Sequence, residues 1–134
     1  MVSSGRTNLR LVDFAIIHLG TNNISSPQSI NTIMSCYGDL IHKLKSAKLV
    51  VTSILPRLVD HLKTVNKVNK VNSELRKLCK RKYFLFCNLY KSCLYNNSPD
   101  PTLFAPKDGL HLNYAGTDLL RKTIINIIRH LNVH

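Results

Sequence analysis

The chain is predicted to be an α/β protein in which a parallel sheet lies between helices, in the order β-α-β-α-β-loop-α. Two observations predict this. Three short runs, residues 13–19, 48–54 and 83–89, are apolar without alternation, as strands buried on both faces are. Between and after them lie segments whose apolar residues recur every three or four positions, the spacing of one helix face. Strands that alternate with helices imply right-handed crossovers and hence a parallel sheet. With 134 residues, of which 44% are hydrophobic and 19% charged, the chain is expected to fold as a single domain around a real core.

Each element has its own signals. Residues 3–11 are polar and aperiodic. Asp13-Phe-Ala-Ile-Ile-His-Leu19 reads as a buried strand closed by the turn Gly20-Thr-Asn-Asn23. Ser25-Ser-Pro-Gln28 offers cap and first-turn residues for a helix with Ile30, Ile33, Tyr37 and Ile41 on one side. Lys48 to Ile54 is the second strand, stopped by Pro56. A long helix from about Asp60 to Lys82 follows, with an expected inner stripe of Leu62, Val65, Val68, Asn69, Asn72, Leu75, Leu78 and Cys79. Tyr83 to Leu89 is the third strand. A loop marked by Pro99, Pro101 and Pro106 leads to the last helix, which starts near Tyr114 and carries Leu120, Ile124, Ile127 and Leu131 inward.

Bulk properties narrow the function classes. Nineteen Lys and Arg against seven Asp and Glu give a formal charge of +12, the footprint of a polyanion binder, with nucleic acid the obvious partner. The densest cluster is Lys77, Lys80, Arg81 and Lys82, which equally suits the C-terminal end of a helix dipole. No apolar run is long enough for a membrane span, and residues 1–10 lack a signal-peptide core, so a soluble cytoplasmic protein without membrane contact is expected. The four cysteines show no C-x-x-C spacing and read as reduced thiols.

One stretch carries chemistry. Phe104-Ala-Pro-Lys-Asp-Gly-Leu-His-Leu-Asn-Tyr-Ala-Gly116 places Asp108 and His111 three residues apart on a loop. A carboxylate beside an imidazole can fix its tautomer and stabilise its protonated form, as a general base requires. Equally, Asp108 or Asn113 could simply cap the last helix. In a parallel sheet the turns after all three strands converge on one rim, where such folds bind ligands.

These residues resemble the SGNH (GDSL-type) hydrolases. Gly20-Thr-Asn-Asn23 is similar to the family's G-x-N-D block and Asp108-Gly-Leu-His111 to its D-x-x-H block. Val51-Thr-Ser-Ile-Leu-Pro-Arg57 and the Asn-rich helix after it resemble SGNH domains found as stand-alone animal proteins and in retroelement reading frames. The resemblance spans about residues 13–131. It implies a flavodoxin-like three-layer α/β/α fold and hydrolysis of small-molecule carboxylic esters by a Ser-His-Asp mechanism without metal or other cofactor. His111 would be the general base, Asp108 its orienting partner, Asn22 the oxyanion-hole donor and Gly20 the residue that permits the site turn.

The chain also departs from the family's pattern. No Gly-Asp-Ser block occurs, so the nucleophile is unassigned. Ser3 and Ser4 follow no strand, and Ser53 is better read as structural than as a surrogate nucleophile. Asn23 stands where the block has an acid. His18 is read as a packed sheet-face residue. In the family's strand order the run 13–19 would be an apolar edge, so an incomplete domain, inactive by itself and prone to self-association there, is expected. The alternative reading is a non-catalytic basic module that binds nucleic acid.

Overall fold

The computed structural model describes residues 14–18, 24, 27–44 and 48–132. Three strands, β1 (Phe14–Ile17), β2 (Lys48–Thr52) and β3 (Leu85–Cys87), form a sheet in the order β1-β2-β3. Both pairings are parallel, with Ile17 opposite Val51 and Thr52 opposite Cys87. Between the strands run α1 (Ile30–Lys43) and α2 (His61–Lys82), and α3 (Tyr114–Asn132) closes the order.

Alternation along the strands builds two cores. Ala15, Ile17, Leu49 and Val51 face α1 and α2, meeting Ile33, Tyr37, Val68, Val71 and Leu75. Ile16, Val50 and Cys87 face the other way, toward Phe104 and Ile124. The strands read as continuous apolar runs because each face has its own helix layer. This is the three-layer α/β/α architecture. Cys79, Cys87 and Cys93 are buried and Cys36 exposed, all as free thiols; burial pushes the three buried thiols up to about 11.

Several local expectations are corrected. The cap of α1 is Ser29, whose hydroxyl accepts from the Thr32 amide at 3.1 Å, rather than the segment 25–28. On α2 the buried stripe includes Thr64 and Val71, whereas Leu62 is 90% exposed and Asn69 also faces solvent. β3 is shorter than residues 83–89: Tyr83 ends α2 in the left-handed region at φ 60° and so cannot be extended. The loop after β3 holds a small hairpin, β4 (Leu94–Tyr95) and β5 (Ser98–Pro99), paired antiparallel. Its turn residues Asn96 and Asn97 have φ of 52° and 65°, the conformation of a tight primed turn that Asn tolerates.

Asn72 ties α2 to the sheet rim. Its amide oxygen accepts from the Ile54 N–H at 2.7 Å and its amide nitrogen donates to the Ile54 carbonyl at 3.0 Å. The side chain completes a backbone that has just left β2. Asn72→Leu is expected to cost about 2 kcal/mol, since two backbone groups lose their partner. A urea midpoint unchanged by that substitution would show that water replaces the amide.

Candidate active site

The turns after β2 and β3 meet on the rim at the strands' carboxyl ends. After β2 the chain is held from inside: Ser53 is fully buried, and its hydroxyl accepts from the Leu89 and Tyr90 amides at 2.9 and 3.0 Å. Ser53 is therefore a structural hydroxyl, as its sequence position suggested. Arg57, 5% exposed, pairs with Asp60 through Nε–Oδ1 at 2.7 Å and Nη2–Oδ2 at 3.0 Å. That fork braces the following turn, from which Val59 donates its amide to the Gly109 carbonyl at 3.0 Å.

The Arg57 guanidinium beside Asp60 holds its carboxyl below the ordinary 3.8. A folded-state value below the unfolded one means the pair stabilises fully above the unfolded value and loses that contribution as pH falls through the acid range. Asp60→Asn is therefore expected to flatten the fall of melting temperature below about pH 4. An unaltered acid limb would assign the fall to other carboxylates.

The 104–112 loop is closed on itself. Phe104 and Leu112 form an isolated antiparallel bridge, the Ala105 amide donates to the His111 carbonyl at 2.8 Å, and Gly109 donates to Ala105 at 2.9 Å. Gly109 has φ +59°, and a Cβ there would lie 3.2 Å from the Val59 nitrogen. Glycine is favoured both by the left-handed turn and by the close approach of the two loops. This role of Gly109 was missed in the sequence, although Asp-Gly is a recognised turn signal.

Within this loop Asp108 and His111 come together. Asp108 Oδ1 accepts from the Leu110 and His111 amides at 2.9 and 3.1 Å, and Oδ2 lies 2.5 Å from His111 Nδ1. One oxygen fixes the carboxylate and the other is left for the ring. The hydrogen bond to His111, then those two amides, holds the Asp108 carboxyl well below the usual carboxylate range. It is thus ionised whenever the imidazole needs a counter-charge. His111 is 75% exposed and Asp108 37%, so hydrogen bonding rather than burial sets this behaviour. With Nδ1 turned to the carboxylate, Nε2 is the nitrogen left to take a proton.

Helix capping falls to Asn113 instead of Asp108. The Asn113 Oδ1 accepts from Gly116 N at 3.0 Å, and its Nδ2 donates to the Thr102 carbonyl at 2.7 Å. Asn22 and Gly20 lie outside the described residues. His18 is half-buried at the end of β1 with Nδ1 2.5 Å from Thr52 Oγ1, and burial lowers its basicity below the ordinary 6.5. It links two strand ends, in keeping with a packed sheet-face histidine. Beside the dyad's loop, Val59 and Leu62 are 59% and 90% exposed around a hollow of about 320 Å³.

The described residues thus form a parallel α/β/α sheet with a carboxylate–histidine dyad on its carboxyl rim, and comparison with known proteins names the family. The model of the GDSL-like lipase/acylhydrolase family matches residues 4–119, and the chain belongs to that family. No curated protein matches the sequence. A candidate acylhydrolase from Bacteroides fragilis superposes with a TM-score of 0.75 at 18% identity, over 88% of this chain and 62% of that one. A GDSL-like lipase from Bacteroides thetaiotaomicron gives 0.73 at 19% identity, over 87% and 62%. The esterase domain of the ORF1 protein of the zebrafish ZfL2-1 retrotransposon gives 0.65 at 25% identity, over 84% and 70%. The bacterial pair shows the fold, and this chain spans a little under two thirds of their length. No helix among the described residues is long and apolar enough to cross a membrane.

Proposed function

We propose that the chain carries the base half of a Ser-His-Asp esterase or acyl-hydrolase site. The observation that supports this best is the 2.5 Å contact of Asp108 Oδ2 with His111 Nδ1, with Oδ1 already held by two amides. In this reading Nε2 of His111 removes a proton from the attacking oxygen as it adds to the ester carbonyl, then returns it to the leaving alkoxide. Asp108 keeps the ring in the tautomer that frees Nε2 and stabilises the imidazolium between the two transfers. The side-chain amide of Asn22 donates to the tetrahedral oxyanion from a turn that Gly20 permits. The exposed Val59 and Leu62 suit an apolar acyl part next to that loop.

The serine is a separate matter. The sequence has no Gly-Asp-Ser block, and Ser53 is enclosed and occupied. The chain by itself is then expected to hydrolyse only activated esters, through water that His111 deprotonates. Stopped-flow release of p-nitrophenolate from the acetate ester tests this. Slow, burst-free turnover that disappears in His111→Ala is expected. A rate indifferent to His111 would end the reading, and a stoichiometric burst would show a nucleophile within the chain. Self-association along residues 13–19 belongs to the same proposal, supported by the place of β1 at the edge of the described sheet.

The alternative, a nucleic-acid module centred on Lys80, Arg81 and Lys82, draws less support. Consecutive helical residues lie about 100° apart, so these three fan around the end of α2 and share no face.

A further inference from the structure

The basic charge has a more ordered location than that cluster. Helix α2 carries six lysines and two arginines against one carboxylate, Glu74. Lys63, Lys70 and Lys77 follow each other at intervals of seven, and Arg81 comes four residues after Lys77. On a helix these four fall within about 40° of one another and mark a line about 27 Å long. All four are exposed, and Glu74 is half-buried on the same side.

A groove of about 360 Å³ runs along one flank of this line. Asn69, Ser73 and Arg76 of α2 form one wall, and Asn88, Tyr90 and Lys91 after β3 form the other. The Arg76 guanidinium is set over the Phe86 ring, 5.3 Å from its centroid, and Asn88 Oδ1 accepts from the Tyr90 amide at 3.2 Å. The groove therefore joins amides that read hydrogen-bonding edges, an aromatic ring, a guanidinium plane and a second cation.

We propose that this face of α2 binds single-stranded nucleic acid, with phosphates along Lys63, Lys70, Lys77 and Arg81 and a splayed base in the Asn69–Tyr90 groove. The spacing favours a polyanion over a small anion, because four cations in a row offer no single focus. The groove favours a single strand over a duplex, because only an unpaired base can enter it and stack. An anionic membrane fits less well: the residues flanking the line, Asn66, Asn69 and Ser73, are polar, and the apolar side of α2 is committed to the core. This proposal is independent of the esterase reading and uses none of its residues.

Fluorescence anisotropy of a labelled twelve-nucleotide oligouridylate tests it. Binding in the micromolar range is expected at about 50 mM NaCl, weakening with salt at a log–log slope of about −3 for four phosphate contacts. Lys63→Glu/Lys70→Glu/Lys77→Glu should weaken it by at least about 30-fold. Arg121→Glu/Lys122→Glu/Arg129→Glu, with the same net charge but on α3 across the sheet, should leave it within about threefold. Far-ultraviolet melts of both variants establish that they fold. Equal losses in both would reduce the effect to net charge and overturn the proposal. So would tighter binding to a duplex of the same length, binding to phosphatidylserine vesicles but not to the oligomer, or no binding at all.

Discussion

Replacing His111 by alanine should reduce p-nitrophenyl acetate hydrolysis to the buffer background, a loss of about 100- to 10,000-fold if the imidazole is the general base. The companion change Asp108→Asn should cost nearly as much for a different reason. An asparagine keeps an oxygen for the Leu110 and His111 amides, so the loop survives. However, it turns an N–H toward Nδ1, where the carboxylate now sits at 2.5 Å. That N–H favours the tautomer with the proton on Nε2, and a protonated Nε2 accepts nothing. An Asp108→Asn protein with unchanged melting temperature and lost activity would establish tautomer control. One that keeps its activity would show that the carboxylate does no more than shape the turn.

Gly116→Ala should destabilise the fold even though alanine is the better helix former by about 1 kcal/mol. A Cβ at Gly116 would overlap the Leu103 carbonyl oxygen and lie 2.8 Å from Leu112 Cδ2. The oxygen is backbone and already accepts from the Asn113 amide at 3.0 Å. It cannot withdraw without loosening the start of α3 and the loop that carries His111. A net loss of about 1–3 kcal/mol, the usual range for overfilling a packed site, corresponds to a fall in melting temperature on the order of 5–10 °C. Thermal melts followed by circular dichroism decide it, and a melting temperature equal to or above that of the parent would mean that α3 can shift outward at little cost. The expected loss of ester hydrolysis in the same variant ties stability and site to one backbone contact.

The element order and the two core faces were legible in the sequence because apolar runs and helical periodicity are imposed by burial. Ala15 and Ile17 face one layer and Ile16 the other, and each position had to be apolar. Asp108 and His111 were legible because their contact is local, three residues apart on one loop. What escaped was set by tertiary context. Leu62 follows the three-residue spacing to Val65, yet at about 100° per residue it points away from the buried Thr64 and Val71, and it is exposed. Asn69 and Asn72 each follow a valine in Val68-Asn-Lys-Val-Asn72, but only Asn72 faces Ile54. The short β3 follows from the left-handed Tyr83 on one side and from Ser53 drawing the Leu89 and Tyr90 amides away on the other. None of these has a signature at the scale of a few residues.

The buried hydroxyl of Ser53 has a consequence for how such a domain can change over generations. Its lone pairs are taken by two main-chain donors, one from each of the neighbouring residues Leu89 and Tyr90. Alanine at this position would strand both donors inside the protein. Were the proposed ester chemistry abandoned, residues 108 and 111 could drift, whereas residue 53 would stay serine for as long as the sheet keeps its shape.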